Sequence, residues 1–277
     1  MRLDGPIVIG LAGKAGTGKT SVANRIAPIA QTFGFDEKQD VITFPLKDYK
    51  ILWDHMSFAE PLHEIVTAKQ KITGADAQDR QAYAILDVLL RVFGRNPLWG
   101  APPFKDLIKI VNTAAGWHLD PDLKPRAFMQ WLGTDVCRKH DPDCWVRTLK
   151  TSLRAKYQQF LTEQDDDEIV NYTSPDNFGV VISDLRFPNE VEAIRTYQHG
   201  YVIRFDASDD VREARLISRD GVAQSEHSGH ASETALDSLS DNTFSAIINT
   251  DGMDVTSQAY ATQVIIKQLL EGTYGQD

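Results

Sequence analysis

The chain contains little cysteine and no long apolar run. Its 277 residues include only two cysteines, Cys137 and Cys144, which is too few for a disulfide framework and suits a reducing compartment. No stretch approaches the roughly 20 consecutive apolar residues that a bilayer-spanning helix needs. The N-terminus also lacks the charged head and apolar core of a signal peptide. We therefore expect a cytoplasmic protein that has no membrane partner.

Positive charge is also scarce. The sequence has 29 lysines and arginines against 39 aspartates and glutamates, for a formal net charge of −10. Such a surface repels polyanions, which argues against a nucleic acid polymer as the main substrate. A small phosphorylated ligand that enters a local basic pocket remains compatible with this charge.

A zinc site is not expected at the cysteines. Cys137, His140 and Cys144 offer three soft ligands, but a fourth ligand and the usual C-x-x-C spacing are missing. We interpret the two cysteines as free, half-buried thiols.

The most specific motif follows the apolar run at residues 7–12. Residues 13–20 read GKAGTGKT, a complete G-x-x-x-x-G-K-[ST] pattern, and a helix-like stretch follows. Glycines let such a loop bend so that its N–H groups surround a polyphosphate, towards which the helix N-terminus also points. A chance glycine-rich turn would not be expected to have both of these neighbours. The pattern predicts an ATP site formed by Gly13, Lys14, Ala15, Gly16, Thr17, Gly18, Lys19, Thr20 and Ser21, in which Lys19 contacts the β- and γ-phosphates and Thr20 binds Mg²⁺.

The apolar runs indicate the fold class. Nearly continuous apolar runs that alternate with helix-like sequence predict an α/β fold with a doubly wound parallel sheet of about five strands. We expect a single domain over 1–277, in which 60–140 form an inserted helical subdomain that binds the acceptor and 207–235 form a lid. Within the insertion, helical periodicity covers 78–93 and 104–115. The predicted strands are 7–12, 41–44 or alternatively 56–59, 180–183, 202–205 and 246–248.

A second constellation follows the apolar run at 180–183. Asp184 and Arg186 come just after it, at the strand end where ligands bind in doubly wound sheets. Asp184 is suited to hold Mg²⁺ through water or to orient a substrate hydroxyl, and the planar guanidinium of Arg186 is suited to a phosphate. Alternatively, Arg186 pairs with Glu190, and Asp184 caps a helix that starts near Pro188. A strand-end acid beside a phosphate-binding loop favours the metal role.

A third cluster lies within the predicted insertion. Arg126 and Gln130 are four residues apart, and Asp135 and Arg138 are three apart, with Trp131 between the pairs. Cations for a phosphate, an amide and an acid for base edges and an aromatic ring for stacking would suit a nucleoside monophosphate. A surface helix with one ion pair and a core-facing tryptophan has the same spacing, so the spacing leaves both interpretations open.

The predicted lid carries Arg212, Arg215 and Arg219 at helical spacing. Arginines on such a segment can neutralise charge on a transferred phosphate and exclude water. The alternative is an ordinary solvated helix face. We interpret His227, His230 and Glu233 as structural or lid residues, because Mg²⁺ prefers oxygen ligands to imidazole.

Together these motifs resemble the deoxynucleoside monophosphate kinases of bacteriophages. The resemblance also includes residues 57–62, Asp143 with Trp145, residues 186–190 and residues 230–233. It implies Mg²⁺-dependent transfer of the γ-phosphate of ATP to a deoxynucleoside monophosphate (dNMP) in a host cytoplasm. The implied catalytic residues are Lys19, Asp184, Arg186 and Arg219, and Arg215 joins the ATP site. The implied dNMP-binding residues are Phe58, Arg126, Gln130, Trp131, Asp135, Arg138, Arg186 and Glu190.

The chain departs from that family in two places. His63 stands where the family often has lysine, and the segment 69–124 is long. The rival functions are a kinase of another small phosphate, such as phosphomevalonate, a kinase of a modified base in DNA, and a nucleotide-dependent switch or ATPase without an acceptor. The bases accepted are left open, and a homodimer is one candidate assembly.

Overall fold

The computed structural model describes residues 3–27, 50–94, 102–119, 125–164, 177–220 and 229–275, without the side chains of residues 164, 219 and 220. Within these ranges the chain forms a five-stranded sheet and about ten helices. The contacts divide it into two compact units. The first comprises Met1–Ser57 and Leu153–Asp277, and the second comprises Phe58–Ser152.

The first unit contains a sheet in which every strand pair is parallel, with strand order β2-β3-β1-β4-β5. The central strand is buried along its whole length, as expected for an apolar strand that helices cover on both faces. The expected parallel sheet of an α/β protein is therefore confirmed. Its strands are β1 (Ile7–Ala12), β2 (Ile51–Met56), β3 (Asn177–Leu185), β4 (His199–Asp206) and β5 (Ala246–Asn249).

Helices cover both faces of this sheet. Ile7 and Ile9 of β1 share one core cluster with Val22 of helix α1 and Ile266 of helix α10. On the opposite face, a Cβ atom at Gly10 would lie 3.3 Å from Cγ1 of Ile194 in helix α7. The helices of this unit are α1 (Lys19–Ile26), the end of α6 (Cys144–Gln164), α7 (Pro188–Arg195), α8 (Asp209–Asp220), α9 (Ala231–Thr234) and α10 (Val255–Glu271).

The strand order determines where a ligand would bind. Because β1 lies between β3 and β4, the loop after β1 emerges between the carboxyl ends of both neighbours. The chain leaves β1 towards β2 on one side and leaves β3 towards β4 on the other. Open α/β sheets bind ligands at such a reversal.

The second strand does not begin where the sequence indicated. The run at 56–59 was predicted as a strand, but β2 ends at Met56 and helix α2 begins at Glu60, with Pro61 in its first turn. Asp54 and His55 interrupt the apolar pattern of β2, which lies at the edge of the sheet. The alternative strand at 41–44 lies outside the described residues.

The second unit is built from helices. Ile85 and Leu89 of α3 and Leu107 and Val111 of α4 are buried at steps of four residues. The helices predicted at 78–93 and 104–115 are therefore confirmed. The unit contains α2 (Glu60–Lys71), α3 (Ala77–Phe93), α4 (Phe104–Gly116), α5 (Arg126–Gln130), a π-helix (Trp131–Arg138) and the start of α6.

The two cysteines are buried more deeply than expected. Cys137 and Cys144 are both free thiols with no exposed surface, so the prediction of half-buried thiols is wrong in this respect. Burial raises the pKa of the Cys144 thiol to about 12. Both side chains act as small core residues.

Across the described ranges, no helix combines the length and hydropathy that crossing a bilayer requires.

Candidate active site

The glycine-rich loop joins β1 to α1 in a conformation that its glycines permit. Gly13, Gly16 and Gly18 have φ angles of 129°, 85° and 97°, which residues with a Cβ rarely adopt. A Cβ atom at Gly13 would lie 2.3 Å from the carbonyl oxygen of Phe205, and one at Gly18 would lie 2.2 Å from Oε1 of Gln258. The loop is therefore packed tightly against β4 and α10.

A Gly13→Ala substitution should disturb this loop more than an ordinary glycine substitution. We expect a loss of about 1–3 kcal/mol in the free energy of unfolding, because the backbone angle is strained and the new methyl group meets backbone. Loops of this kind bind polyphosphates through backbone amides, so a shift of the loop should weaken any ATP binding at least about tenfold. Thermal unfolding and calorimetric titration with ATP measure the two effects.

Gly116→Ala provides the control for that substitution. A Cβ atom at Gly116 would lie 4.0 Å from its nearest described neighbour, Nε2 of Gln78, which is an ordinary contact. The two variants should therefore differ clearly in stability and in ATP affinity. Equal behaviour would contradict the tight packing of the loop.

Lys19 is turned back into the loop. Its ammonium group donates hydrogen bonds to the carbonyl oxygens of Gly13 at 2.6 Å and Lys14 at 2.7 Å and to the Thr17 hydroxyl at 3.2 Å. Burial, and to a smaller extent the nearby Arg186, lower the pKa of Lys19 to about 7. A polyphosphate ligand would supply the negative charge that this buried ammonium needs.

Asp184 lies at the end of β3 within a row of polar side chains. The Ser57 hydroxyl donates to its Oδ2 atom at 2.7 Å. His55 Nε2 lies 2.8 Å from the hydroxyl of Ser183, and burial lowers the pKa of this imidazole. His55 belongs to no recognised sequence motif, and its position near Asp184 was not predicted from the sequence.

The described residues fit a nucleotide-bound Mg²⁺ ion. The Thr20 side chain is exposed in the first turn of α1, and Asp184 is close enough to Lys19 to act on its pKa. Hydroxyl and carboxylate oxygens are the donors that Mg²⁺ prefers, and it usually also keeps waters and phosphate oxygens as ligands. Nowhere in the described ranges do three His, Cys, Asp or Glu side chains form a group able to hold a metal.

Arg186 pairs with a residue other than the one considered from sequence. Its Nη1 atom donates to Oε1 of Glu233 at 2.5 Å and to the carbonyl oxygen of Ser232 at 3.0 Å. The carboxylate of Glu190 instead accepts the backbone N–H groups of Arg186 at 2.7 Å and Phe187 at 3.0 Å. Glu190 is 1% exposed and caps helix α7. The alternative that Arg186 pairs through its side chain with Glu190 is therefore wrong.

Two arginines of α8 contact the glycine-rich loop. Arg212 donates to the carbonyl oxygen of Ala15 at 3.2 Å and pairs with Asp209. Arg215 donates to the carbonyl oxygen of Thr250 at 2.7 Å and reaches that of Gly16 at 3.4 Å. Both side chains therefore bind carbonyl oxygens of the loop and help to hold its backbone in place. The side chain of Arg219 and the whole of His227 lie outside the described part of the structure, and so do the predictions made for them.

A cleft of about 210 Å³ opens beside the loop within the first unit. Lys14 at its border pairs with Asp237 at 3.1 Å. Arg204 also lines it, pairing with Asp206 at 2.8 Å and lying 5.4 Å from the ring centre of Phe244. The cleft is therefore lined by ion-paired side chains together with the aromatic residues Phe205 and Phe244.

In the second unit, the predicted acceptor cluster begins in α5 and continues into the π-helix. A π-helix closes each hydrogen bond over five residues, so the α-helical spacing assumed for Asp135 and Arg138 is wrong. Arg138 donates to the carbonyl oxygen of Pro142 at 3.1 Å. Arg126 and Gln130 form the ends of α5 and are half-buried. π-Helical turns occur often at functional sites.

The aromatic residues of this cluster pack against one another. The ring centre of Trp131 lies 4.9 Å from that of Trp117 and 6.0 Å from that of Phe128. Phe58 is 3% exposed and belongs to the core of its unit. Much of the predicted stacking surface is therefore already in contact with protein.

The π-helix is anchored at Gly133. Its carbonyl oxygen accepts the indole N–H of Trp145 at 3.0 Å, and a Cβ atom there would lie 2.7 Å from Cδ1 of Leu62. Arg147 forms a paired ion contact with the buried Asp141 just beyond the helix. These contacts fix the backbone that carries Trp131, Asp135 and Arg138.

No protein-family model matches the chain, and no curated protein sequence is significantly similar to it.

Proposed function

We propose that this protein is a nucleotide kinase that transfers the γ-phosphate of ATP to a deoxynucleoside monophosphate and produces ADP and a deoxynucleoside diphosphate. One observation carries the proposal. The GKAGTGKT loop follows the central strand, and at the same edge of the sheet Asp184 lies in the end of the neighbouring strand β3 and Arg186 comes just after it. The motif resemblance to bacteriophage deoxynucleoside monophosphate kinases supports the choice of acceptor.

The loop and α1 provide the donor half of the proposed reaction. Backbone amides of residues 13–19 bind the phosphates of ATP, and Lys19 turns from the loop carbonyls to the terminal phosphates. Thr20 and Asp184 would hold Mg²⁺, which would neutralise the charge that develops on the phosphates. Arg212 and Arg215 help to keep the loop in place through its carbonyl oxygens.

Arg186 provides the contact for the acceptor phosphate. It follows β3, outside the loop that binds the donor, and its guanidinium suits a phosphate group. Direct in-line transfer requires no covalent enzyme intermediate, because positioning and charge neutralisation supply most of the catalysis. A second phosphate contact beside the donor loop favours transfer over simple hydrolysis.

The motif resemblance also assigns nucleotide-recognition roles to residues of the second unit. In the proposal, Arg126 and Arg138 bind the phosphate of the dNMP, and Gln130 and Asp135 bind the edges of its base. Trp131 contacts the ring of the base. The hydrogen bond from Trp145 to Gly133 holds the backbone of the π-helix that carries Trp131, Asp135 and Arg138. We assign no substrate contact to Glu190 or Phe58. Glu190 caps α7, and the Phe58 side chain is buried.

A steady-state assay with separate dNMP acceptors tests this function. We expect at least one dNMP to stimulate ADP formation from ATP and Mg²⁺, with a deoxynucleoside diphosphate appearing in equal amount. Phosphomevalonate and DNA containing a modified base serve as rival acceptors. ADP formation at the same rate with and without every acceptor would identify an ATPase and overturn the proposal.

A further inference from the structure

The carboxylate of Glu233 makes contacts with the loop that resemble those of a bound phosphate. Its Oε2 atom accepts the backbone N–H of Ala15 at 3.1 Å, and its Oε1 atom accepts from Arg186 at 2.5 Å. The side chain is 14% exposed. A loop amide and a guanidinium are the partners expected for a phosphate oxygen.

The segment around Glu233 is fixed on both sides. His230 Nδ1 accepts the N–H of Ser232 at 3.2 Å at the start of α9, and Arg186 also binds the Ser232 carbonyl oxygen. Three residues beyond α9, Asp237 pairs with Lys14 of the loop. The position of the Glu233 carboxylate is therefore determined by several independent contacts.

This carboxylate is held in its ionised form. Burial raises the pKa of Glu233, but Arg186, the Ala15 N–H and Lys19 together lower it more, so it lies below its usual value. An anion consequently occupies the neighbourhood of the loop amide at neutral pH. A second anion on the same amide would meet it at hydrogen-bond distance and be repelled.

We propose that Glu233 competes with the donor phosphates for the glycine-rich loop, and that donor binding releases Arg186 to hold the acceptor phosphate. The first half requires only a polyphosphate ligand, whereas the second half rests on the proposed function. In the free protein, Arg186 is engaged by Glu233 and Ser232. Once the donor displaces Glu233, the guanidinium loses its carboxylate partner and is available to another anion.

The proposal implies coupling between the two substrates. A donor that frees Arg186 increases the affinity for the acceptor, and by thermodynamic linkage the acceptor increases the affinity for the donor by the same factor. Glu233 is then a positioning residue that acts through Arg186.

Titration calorimetry with tripolyphosphate and with a non-hydrolysable ATP analogue tests the competition. A Glu233→Gln substitution keeps the size of the side chain but removes its charge. We expect both ligands to bind this variant about tenfold more tightly, because charge-assisted hydrogen bonds are about twice as strong as neutral ones. Glu213→Gln removes the same charge from an exposed position on α8 and should change affinity less than about twofold. Unchanged or weaker binding to Glu233→Gln would overturn the competition.

A shorter carboxylate distinguishes competition from a structural role. Glu233→Asp keeps the charge but is one methylene shorter, so it cannot span the Ala15 amide and Arg186 in the same way. We expect it to be folded by thermal unfolding and to bind tripolyphosphate more tightly than the wild type. If Glu233→Gln proves unstable, this variant decides the question, and weaker binding would overturn the proposal.

The coupling is measured on the wild-type protein. We expect the non-hydrolysable ATP analogue to lower the dissociation constant for a dNMP at least about fivefold, within the usual range of coupling between sites. The coupling should fall below about twofold in Glu233→Gln. Equal dNMP affinity with and without the analogue would overturn the release of Arg186. A complete lack of dNMP binding would overturn the proposed function along with that release, while the polyphosphate titration would still decide the competition.

Discussion

Replacing Lys19 with methionine is expected to abolish phosphoryl transfer while the protein stays folded. The kcat should fall at least about 100-fold, because the variant loses a buried cation that would stabilise charge on the transferred phosphate. Methionine preserves the length of the buried stem. It also removes an ammonium group whose burial lowers its pKa to about 7, so the melting temperature should change by less than about 5 °C.

Lys267→Ala is the matched control for this substitution. Lys267 lies on α10, where its contact with Glu271 is 3.9 Å long and partly exposed. Such pairs contribute less than about 0.5 kcal/mol, so activity and stability should both be retained. Near-normal turnover by folded Lys19→Met would refute the assignment of the loop to phosphoryl transfer.

The second large effect is expected at Arg186. An Arg186→Ala substitution should raise KM for the dNMP about 10- to 100-fold, since a hydrogen bond to a charged group contributes about 1.5–3 kcal/mol. KM for ATP should change much less, because the donor contacts come from the loop and from Lys19. Arg186→Lys should recover only part of the loss, because it keeps the charge but lacks the planar fork.

Arg195→Ala controls for the loss of positive charge near β3. Arg195 is exposed in the last turn of α7 and should leave both KM values unchanged. Initial rates measured with one substrate varied at a time separate the two constants. If Arg186→Ala weakened only ATP, Arg186 would belong to the donor site.

Secondary structure was predicted best where it is determined by a local pattern of residues. The apolar runs of β1, β3, β4 and β5 predicted their strands, because buried parallel strands are apolar on both faces. The glycine-rich motif correctly indicated a loop of glycines with positive φ angles between a strand and a helix. β2 was misplaced because polar Asp54 and His55 interrupt it at the sheet edge.

The contacts that hold the candidate site together could not be predicted from local patterns, because they join residues that are far apart in the sequence or depend on the backbone. Glu233 and Ala15 are 218 residues apart, and no local spacing relates them. Glu190 caps α7 by accepting backbone N–H groups, whereas the sequence suggested that it pairs with the guanidinium of Arg186. The π-helix likewise depends on tertiary contacts at Gly133, where an indole binds the carbonyl oxygen and Leu62 closely approaches the backbone.

The most direct test of phosphoryl transfer follows the γ-phosphate itself. In a single turnover with γ-labelled ATP, Mg²⁺ and a dNMP, we expect the label to appear in the deoxynucleoside diphosphate, with little in inorganic phosphate. Recovery of the label as inorganic phosphate, at a rate independent of the dNMP, would contradict the proposed kinase.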